Sequence, residues 1–129
     1  GYASGGRGLG GTRDGVREAC RALGTKLGAA YELVELRKSP YLEEFTNYLY
    51  ARLQRRGYLR RDCQRLVANE RNIFGALMVA HGYADALVSG ITRNWTNVFK
   101  DVLRVIDREP GRSLIGVSLA LLRGRAVLI

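Results

Sequence analysis

The residue types best suited to chemistry lie close together at one place in the chain. In GYADALVSGITRN, residues 82–94, an apolar run ends at Ser89 and Gly90, and Thr92, Arg93 and Asn94 follow at once. Hydroxyl, guanidinium and amide groups beside a glycine can hold an anion. Leu87 and Val88 suit a buried strand, Gly90 permits a tight exit, and a new helical pattern opens at Trp95. Strand, turn and helix N-terminus in that order leave backbone N–H groups unpaired at the positive end of a helix dipole, where a phosphate or carboxylate can sit. In open α/β sheets, ligands bind beyond such strand ends. The plain alternative is an ordinary strand-to-helix loop in which Thr92 or Asn94 only caps the helix, and the spacing fits both. No Gly-Lys-Ser/Thr follows the glycine, so a P-loop is not supported.

A second constellation is basic. Arg52, Arg55, Arg56, Arg60, Arg61 and Arg65 fall in two successive helical stretches around Gly57. Guanidinium groups at that density repel one another unless anions or carboxylates lie near, and Asp62 is the one local carboxylate. They form either a solvated basic face or a grip for a phosphate-bearing ligand or an acidic partner surface. His81, the single histidine, falls at a helix C-terminus, a position that suits capping or packing. Asp85 and Asp101 belong to no recognisable acid–base motif, and neither Ser39 nor Ser89 sits in a nucleophile elbow. Cys20 and Cys63 lie far apart with no CxxC spacing, so both read as reduced packing thiols and no metal site is expected. No catalytic set emerges from spacing alone.

The elements that must position these residues follow from periodicity. Residues 1–11, GYASGGRGLGG, are expected to be a flexible segment, because glycine loses the most freedom on ordering. A helix is expected from Thr12 with Val16, Cys20 and Leu23 on one face, and a half-buried strand at YELVEL, residues 31–36. Ser39 and Pro40 together signal a helix start. The stripe Leu42, Phe45, Leu49, Leu53 follows, and Gly57 closes it. Helices are expected next over 60–69, burying Cys63, Leu66 and Val67, and over 72–81, apolar nearly all round and therefore interior. A strand at 86–89 precedes a helix with Trp95, Phe99, Val102, Leu103 and Ile106 on its stripe, and Pro110 and Gly111 end it. Runs at 113–122 and 126–129 read as strands around a turn at Arg123 to Arg125. This order argues for an α/β fold with helices flanking a mixed sheet.

A chain of 129 residues, 47% of them hydrophobic, supports one domain or part of one. No apolar run is long enough to span a bilayer and no signal-peptide core precedes the first helix, so an intracellular, non-membrane protein is expected. A formal net charge of +9 favours an anionic partner. A basic nucleic-acid-binding module is one reading of that charge. Against it, the aromatics fall on apolar helical stripes and do not interleave with arginine on an exposed face.

The run YLYARLQRRGYLRRDCQRLVANERNIFGALMVAHGYADALVSGITRNW, followed by DVLRVIDREPGRSLIGVSLALLRGRAVLI, resembles the phosphate acetyltransferase-like domain, above all the copies at the C-terminus of large bacterial NADP-dependent malic enzymes. The blocks YLYARLQRRGY, ADALVSG, TRN and VIDREPG carry the resemblance, which extends over about Arg37 to Ile129. It implies a three-layer α/β/α architecture with a mixed, mostly parallel sheet, here a partial domain over 12–129, a cytoplasmic location and dimer-based homo-oligomers. In the transferases the domain moves an acetyl group between coenzyme A and phosphate. In the malic enzymes it resembles a regulatory and oligomerising module that senses acetyl-CoA, while a separate N-terminal part, with NADP and a divalent metal, oxidises and decarboxylates malate to pyruvate. A fragment of a genuine phosphate acetyltransferase is the second reading.

On this resemblance Ser89, Gly90, Thr92, Arg93, Asn94, Lys100, Arg55 and Arg56 are the candidate ligands of acetyl-CoA or coenzyme A, a small phosphate-bearing molecule. Two departures bear on transfer. An ungapped alignment puts Leu53 where the transferases carry a coenzyme-binding arginine, and Lys100 where they carry a second. Lysine grips phosphate as a point charge and leucine not at all. The family's Ser, Arg and Asp catalytic group has no counterpart among these residues, so no catalytic residue is carried over. The family also has a hydrophobic strand between GLG, residues 8–10, and GTRDG, residues 11–15, which here abut.

Overall fold

The central helices form where apolar side chains recur at helical spacing, and their packing makes the core. In a computed structural model, residues 2–3, 7–10, 13–24, 31–90, 93–117, 119–122 and 124–128 are described. Helix α1 is Arg13–Ala22, α2 Leu42–Leu53, α3 Arg60–Asn69, α4 Arg71–Ala80 and α5 Trp95–Leu103. Phe45, Leu49 and Leu53 of α2 turn inward, as their spacing requires, against Cys63 and Val67 of α3 and Ile73, Phe74, Ala76 and Leu77 of α4. Phe45 meets Phe74 edge-on at 5.2 Å between ring centroids and stacks on Tyr41 at 5.6 Å. Each such fully buried side chain contributes about 1.5–3 kcal/mol. Val105, just past α5, completes the core from outside the stripe expected there. Trp95, placed on that stripe by the sequence, is exposed instead, its ring 5.0 Å from that of Phe99 on the same helix.

Helix ends follow local chemistry. Ser39 accepts the Tyr41 N–H on its hydroxyl at 3.2 Å, so the Ser-Pro signal marks the approach to α2, whose first residue is Leu42 rather than Pro40. After Leu53 the chain tightens into a 3-10 turn, Gln54–Arg56, and stops at Gly57 with φ +85°, the left-handed conformation that favours glycine. Asp62 accepts the Leu59 N–H at 3.1 Å at the start of α3. This is half of a capping box, since the leucine side chain offers no acceptor in return. Glu70, extended at φ −100° and ψ 101°, breaks α3 from α4.

The strands are short: β1 Tyr2–Ala3, β2 Arg7–Gly10, β3 Tyr31–Val34, β4 Ala86–Leu87, β5 Leu119–Leu122 and β6 Arg125–Leu128. Four form one sheet in the order β3-β2-β1-β4, and β5 and β6 form a separate antiparallel hairpin. Two expectations are corrected. The glycine-rich start is not free where it is described: Tyr2 pairs with both Gly8 and Leu87, and Leu9 pairs with Leu33. Backbone ladders with distant partners order these glycines where local propensity would not. Nor is the sheet mostly parallel among the described residues, because only β2 with β3 runs parallel while β1 is antiparallel to both neighbours. The strand expected at 86–89 is confined to two residues, and that expected at 113–122 to its last four. Among the described residues no helix is long and apolar enough to cross a membrane.

Candidate functional site

Helix α4 delivers the chain to β4, and β4 delivers it to the turn at Gly90. At the end of α4, His81 Nδ1 lies 2.8 Å from the Leu77 carbonyl, and Gly82 at φ +76° reverses the chain. The His81 ring packs between Phe45 and Tyr48 at 4.9 and 4.7 Å, the packing and capping role its position suggests. Beyond β4, Gly90 has φ +139°, and a Cβ there would meet no atom within 4 Å. The backbone angle, not crowding, is what calls for glycine.

The polar side chains of this turn are engaged with the protein. Asn94 caps α5, its Oδ1 accepting the Thr96 N–H at 3.0 Å. Arg93 Nη1 lies 2.5 Å from Glu70 Oε2 and 3.8 Å from Asp101 Oδ2. Glu70 Oε2 is buried and no donor meets it with hydrogen-bond alignment, so its contact with Arg93 is charge against charge at close range. The Ser89 hydroxyl donates to Asn72 Oδ1 at 2.5 Å, and Asn72 Nδ2 donates to Asp101 Oδ2 at 3.4 Å. Arg104 Nη1 reaches the other oxygen of Asp101 at 2.9 Å. Arg93 and Arg104 thus face Glu70 and Asp101, and the cluster is locally balanced in charge. Thr92 lies outside the described residues. Lys100 is exposed on α5 and holds no ion pair among the described residues.

Sequence reasoning missed Glu70 and Asn72 and left Asp101 without a partner. The signal for Asn72 was present: a lone amide opening an otherwise apolar helix must find partners or cost about 1–3 kcal/mol of desolvation. Asp101 is buried for the same reason that it is bonded, with Asn72 and two arginines around it.

The arginine cluster divides into paired and unpaired members. Arg52 bonds Asp107 at 2.8 Å and donates to the Arg104 carbonyl at 3.3 Å, and the Asp107 hydrogen bond raises its guanidinium further above the ordinary value. Arg60 donates to Asn47 at 2.9 Å and lies 3.4 Å from Glu43. Relief thus comes from Asp107 and Glu43, whereas Asp62, the one carboxylate near in sequence, is spent on the Leu59 N–H. Arg55, Arg56, Arg61 and Arg65 are exposed and hold no ion pair among the described residues. Leu53, on the preceding turn of α2, is sealed in the core.

A cleft of about 300 Å³ along α3 is lined by Tyr58, Asp62, Arg65, Leu66, Asn69 and Glu70. Arg65 belongs to the unpaired set, and Glu70 is the carboxylate that holds Arg93. A second cleft of about 330 Å³ opens between α2 and α3 over Glu43, Thr46, Arg60 and Gln64. The geometry offers free cationic groups beside a partly apolar cleft, which can hold an anionic ligand with an organic arm. It brings together no nucleophile and base among the described residues.

Known proteins resemble the chain throughout. It is 48% identical to an NADP-dependent malic enzyme of Rhizobium meliloti over 92% of its own length and 16% of that protein. To a probable NADP-dependent malic enzyme of Rickettsia prowazekii it is 40% identical over 78% of its length and 13% of that protein. In structure it superposes on the EutD phosphotransacetylase of Staphylococcus aureus with a TM-score of 0.74 at 23% identity, over 92% of this chain and 36% of that one. The chain therefore spans under a fifth of these malic enzymes and about a third of the solved protein. With the profile of phosphate acetyl/butaryl transferase matching residues 9–129, the chain belongs to that family.

Proposed function

We propose that the chain is part of a bacterial NADP-dependent malic enzyme, whose whole polypeptide oxidises and decarboxylates malate to pyruvate, and that it belongs to a cytoplasmic, acetyl-CoA-sensing and oligomerising domain. The carrying observation is the set of unpaired guanidinium groups at Arg55, Arg56, Arg61 and Arg65, with Arg65 lining the same cleft as Glu70. Polyphosphate needs free positive charge, and here it stands beside a partly apolar cleft that suits an organic arm. The residues present fit such a ligand: Arg55, Arg56 and Lys100 offer charge, and Ser89 offers a hydroxyl. Sensing in place of turnover is supported by Leu53, whose side chain is 1% exposed and so cannot face a ligand. Oligomerisation through a second copy is supported by Leu114, Ile115, Val117, Leu121 and Val127, which are exposed on one stretch of chain. The complete domain is proposed to be a three-layer α/β/α sandwich, of which the sheet and helices described are one part.

The test is titration of the full-length protein with acetyl-CoA by calorimetry, together with malate turnover at increasing acetyl-CoA. Saturable binding with a change in turnover is expected; absence of both would sink the reading. The likeness in fold to a phosphotransacetylase favours a second reading, a genuine acetyl transferase. Formation of acetyl phosphate from acetyl-CoA and phosphate would establish it, and none is expected.

A further inference from the structure

The Ser89 hydroxyl has one hydrogen, and the polar chain behind it decides where that hydrogen goes. Asp101, as a carboxylate, offers only acceptors to the side chains around it. It is 6% exposed, with Arg104 on one oxygen at 2.9 Å and Arg93 at 3.8 Å from the other. Asn72, 7% exposed, sits between Asp101 and Ser89. An amide can be turned either way, and its partners assign it. Were Asn72 reversed, its carbonyl oxygen would face the carboxylate, acceptor against acceptor in a buried place. Asp101 therefore holds the amide with Nδ2 toward itself and Oδ1 toward Ser89. The Ser89 hydrogen is committed to that oxygen at 2.5 Å, while the serine itself remains exposed.

We infer that Ser89 meets its ligand as a hydrogen-bond acceptor only, with Asn72 and Asp101 as the positioning residues that impose this polarity. A phosphate oxygen, itself an acceptor, is then the wrong partner for Ser89. An amide N–H or a hydroxyl is the right one. This rests on the acetyl-CoA reading and divides that molecule between the two constellations: the unpaired arginines take its phosphates, and Ser89 takes an amide N–H of its pantetheine arm. The turn that looks like an anion site is on this account a site for the neutral arm, consistent with the local balance of charge around Arg93.

The experiment compares three probes on the full-length protein by calorimetry: acetyl-CoA, pantetheine, and the nucleotide portion of the coenzyme alone. Ser89→Ala, an exposed and small change, is expected to weaken acetyl-CoA and pantetheine by about tenfold, the scale of one hydrogen bond, and to leave the nucleotide portion within about twofold. Asp101→Asn, which frees the amide of Asn72 to turn, is expected to reproduce that selective loss. A merely structural role would weaken all probes together. Overturning results are a Ser89→Ala loss confined to the nucleotide portion, an equal loss on every probe, or no loss on any. If the unsubstituted protein binds no acetyl-CoA, the underlying reading falls as well; if it binds with the wrong pattern, only this inference falls.

Discussion

At the scale of single residues, burial decides which charges matter. Asp101 accepts from Asn72 and Arg104 within a nearly closed site, while Arg93 and Arg104 keep access to water. Removing the carboxylate strands the Asn72 amide but lets both arginines resolvate. Asp101→Ala is therefore expected to cost about 2 kcal/mol in urea unfolding, and Arg93→Ala a comparable amount, about 1–3 kcal/mol, because it leaves the buried Glu70 Oε2 without its cation. Cys63 gives a pH signature. Burial, helped by the nearby Asp62 charge, raises its thiol above the ordinary value of 9.0. The folded state thus favours the protonated thiol, a contribution fully present below the unfolded pKa and lost as pH rises through the folded one. The stability gap between the native protein and Cys63→Ala is expected to narrow in urea unfolding series carried above the ordinary thiol range. A gap that stays constant with pH would show that the thiol does not titrate differently on folding. Of these residues the sequence made Cys63 legible as core, since it lies on a helical stripe. Asn72 and Asp101 were not legible as partners, because 29 positions separate them and only tertiary packing brings them together.

At the scale of elements, legibility tracked the range of the forces involved. Helices α2, α3 and α4 were readable because a stripe of apolar residues at spacings of three and four requires only local geometry. Strands β1, β2 and β4 were harder, since two to four residues have no periodicity to show, and their existence depends on pairing such as Tyr2 with Leu87. The Gly57 stop between α2 and α3 was readable for a local reason, and it can be tested as one. A Cβ at Gly57 would meet nothing within 4 Å, so a substitution costs only the backbone strain of φ +85°. Gly57→Ala is expected to lower stability by about 1 kcal/mol and Gly57→Asn by less, because asparagine tolerates the left-handed region better. Thermal unfolding of both variants checks this. Equal losses would point to a contact of the glycine in place of its dihedral angle.

At the scale of the whole molecule, the net charge of +9 reads differently once the pairing is known. Counted by charge alone, every arginine in the 52–65 cluster is equivalent. In the structure Arg52 is tied to Asp107 and Arg60 to Glu43, whereas Arg55 and Arg56 face solvent unpaired among the described residues. An unpaired surface cation attracts an anionic ligand through solvent, so its contribution falls as salt shortens the screening length from about 30 Å at 0.01 M to about 8 Å at physiological strength. A paired one mainly holds structure. Acetyl-CoA affinity of the full-length protein is accordingly expected to weaken severalfold over that salt range, and Arg55→Gln with Arg56→Gln to lower both the affinity and its salt dependence while leaving the melting temperature nearly unchanged. Arg52→Gln should do the reverse, lowering the melting temperature through the lost Asp107 and Arg104 contacts with little effect on the salt slope. Calorimetric titrations at two ionic strengths, paired with thermal melts, separate the two outcomes. If Arg52→Gln and the Arg55, Arg56 pair changed the salt slope alike, the division into structural and ligand-facing arginines would be wrong, and the charge would act as an undivided basic face of the kind that generic nucleic acid also binds.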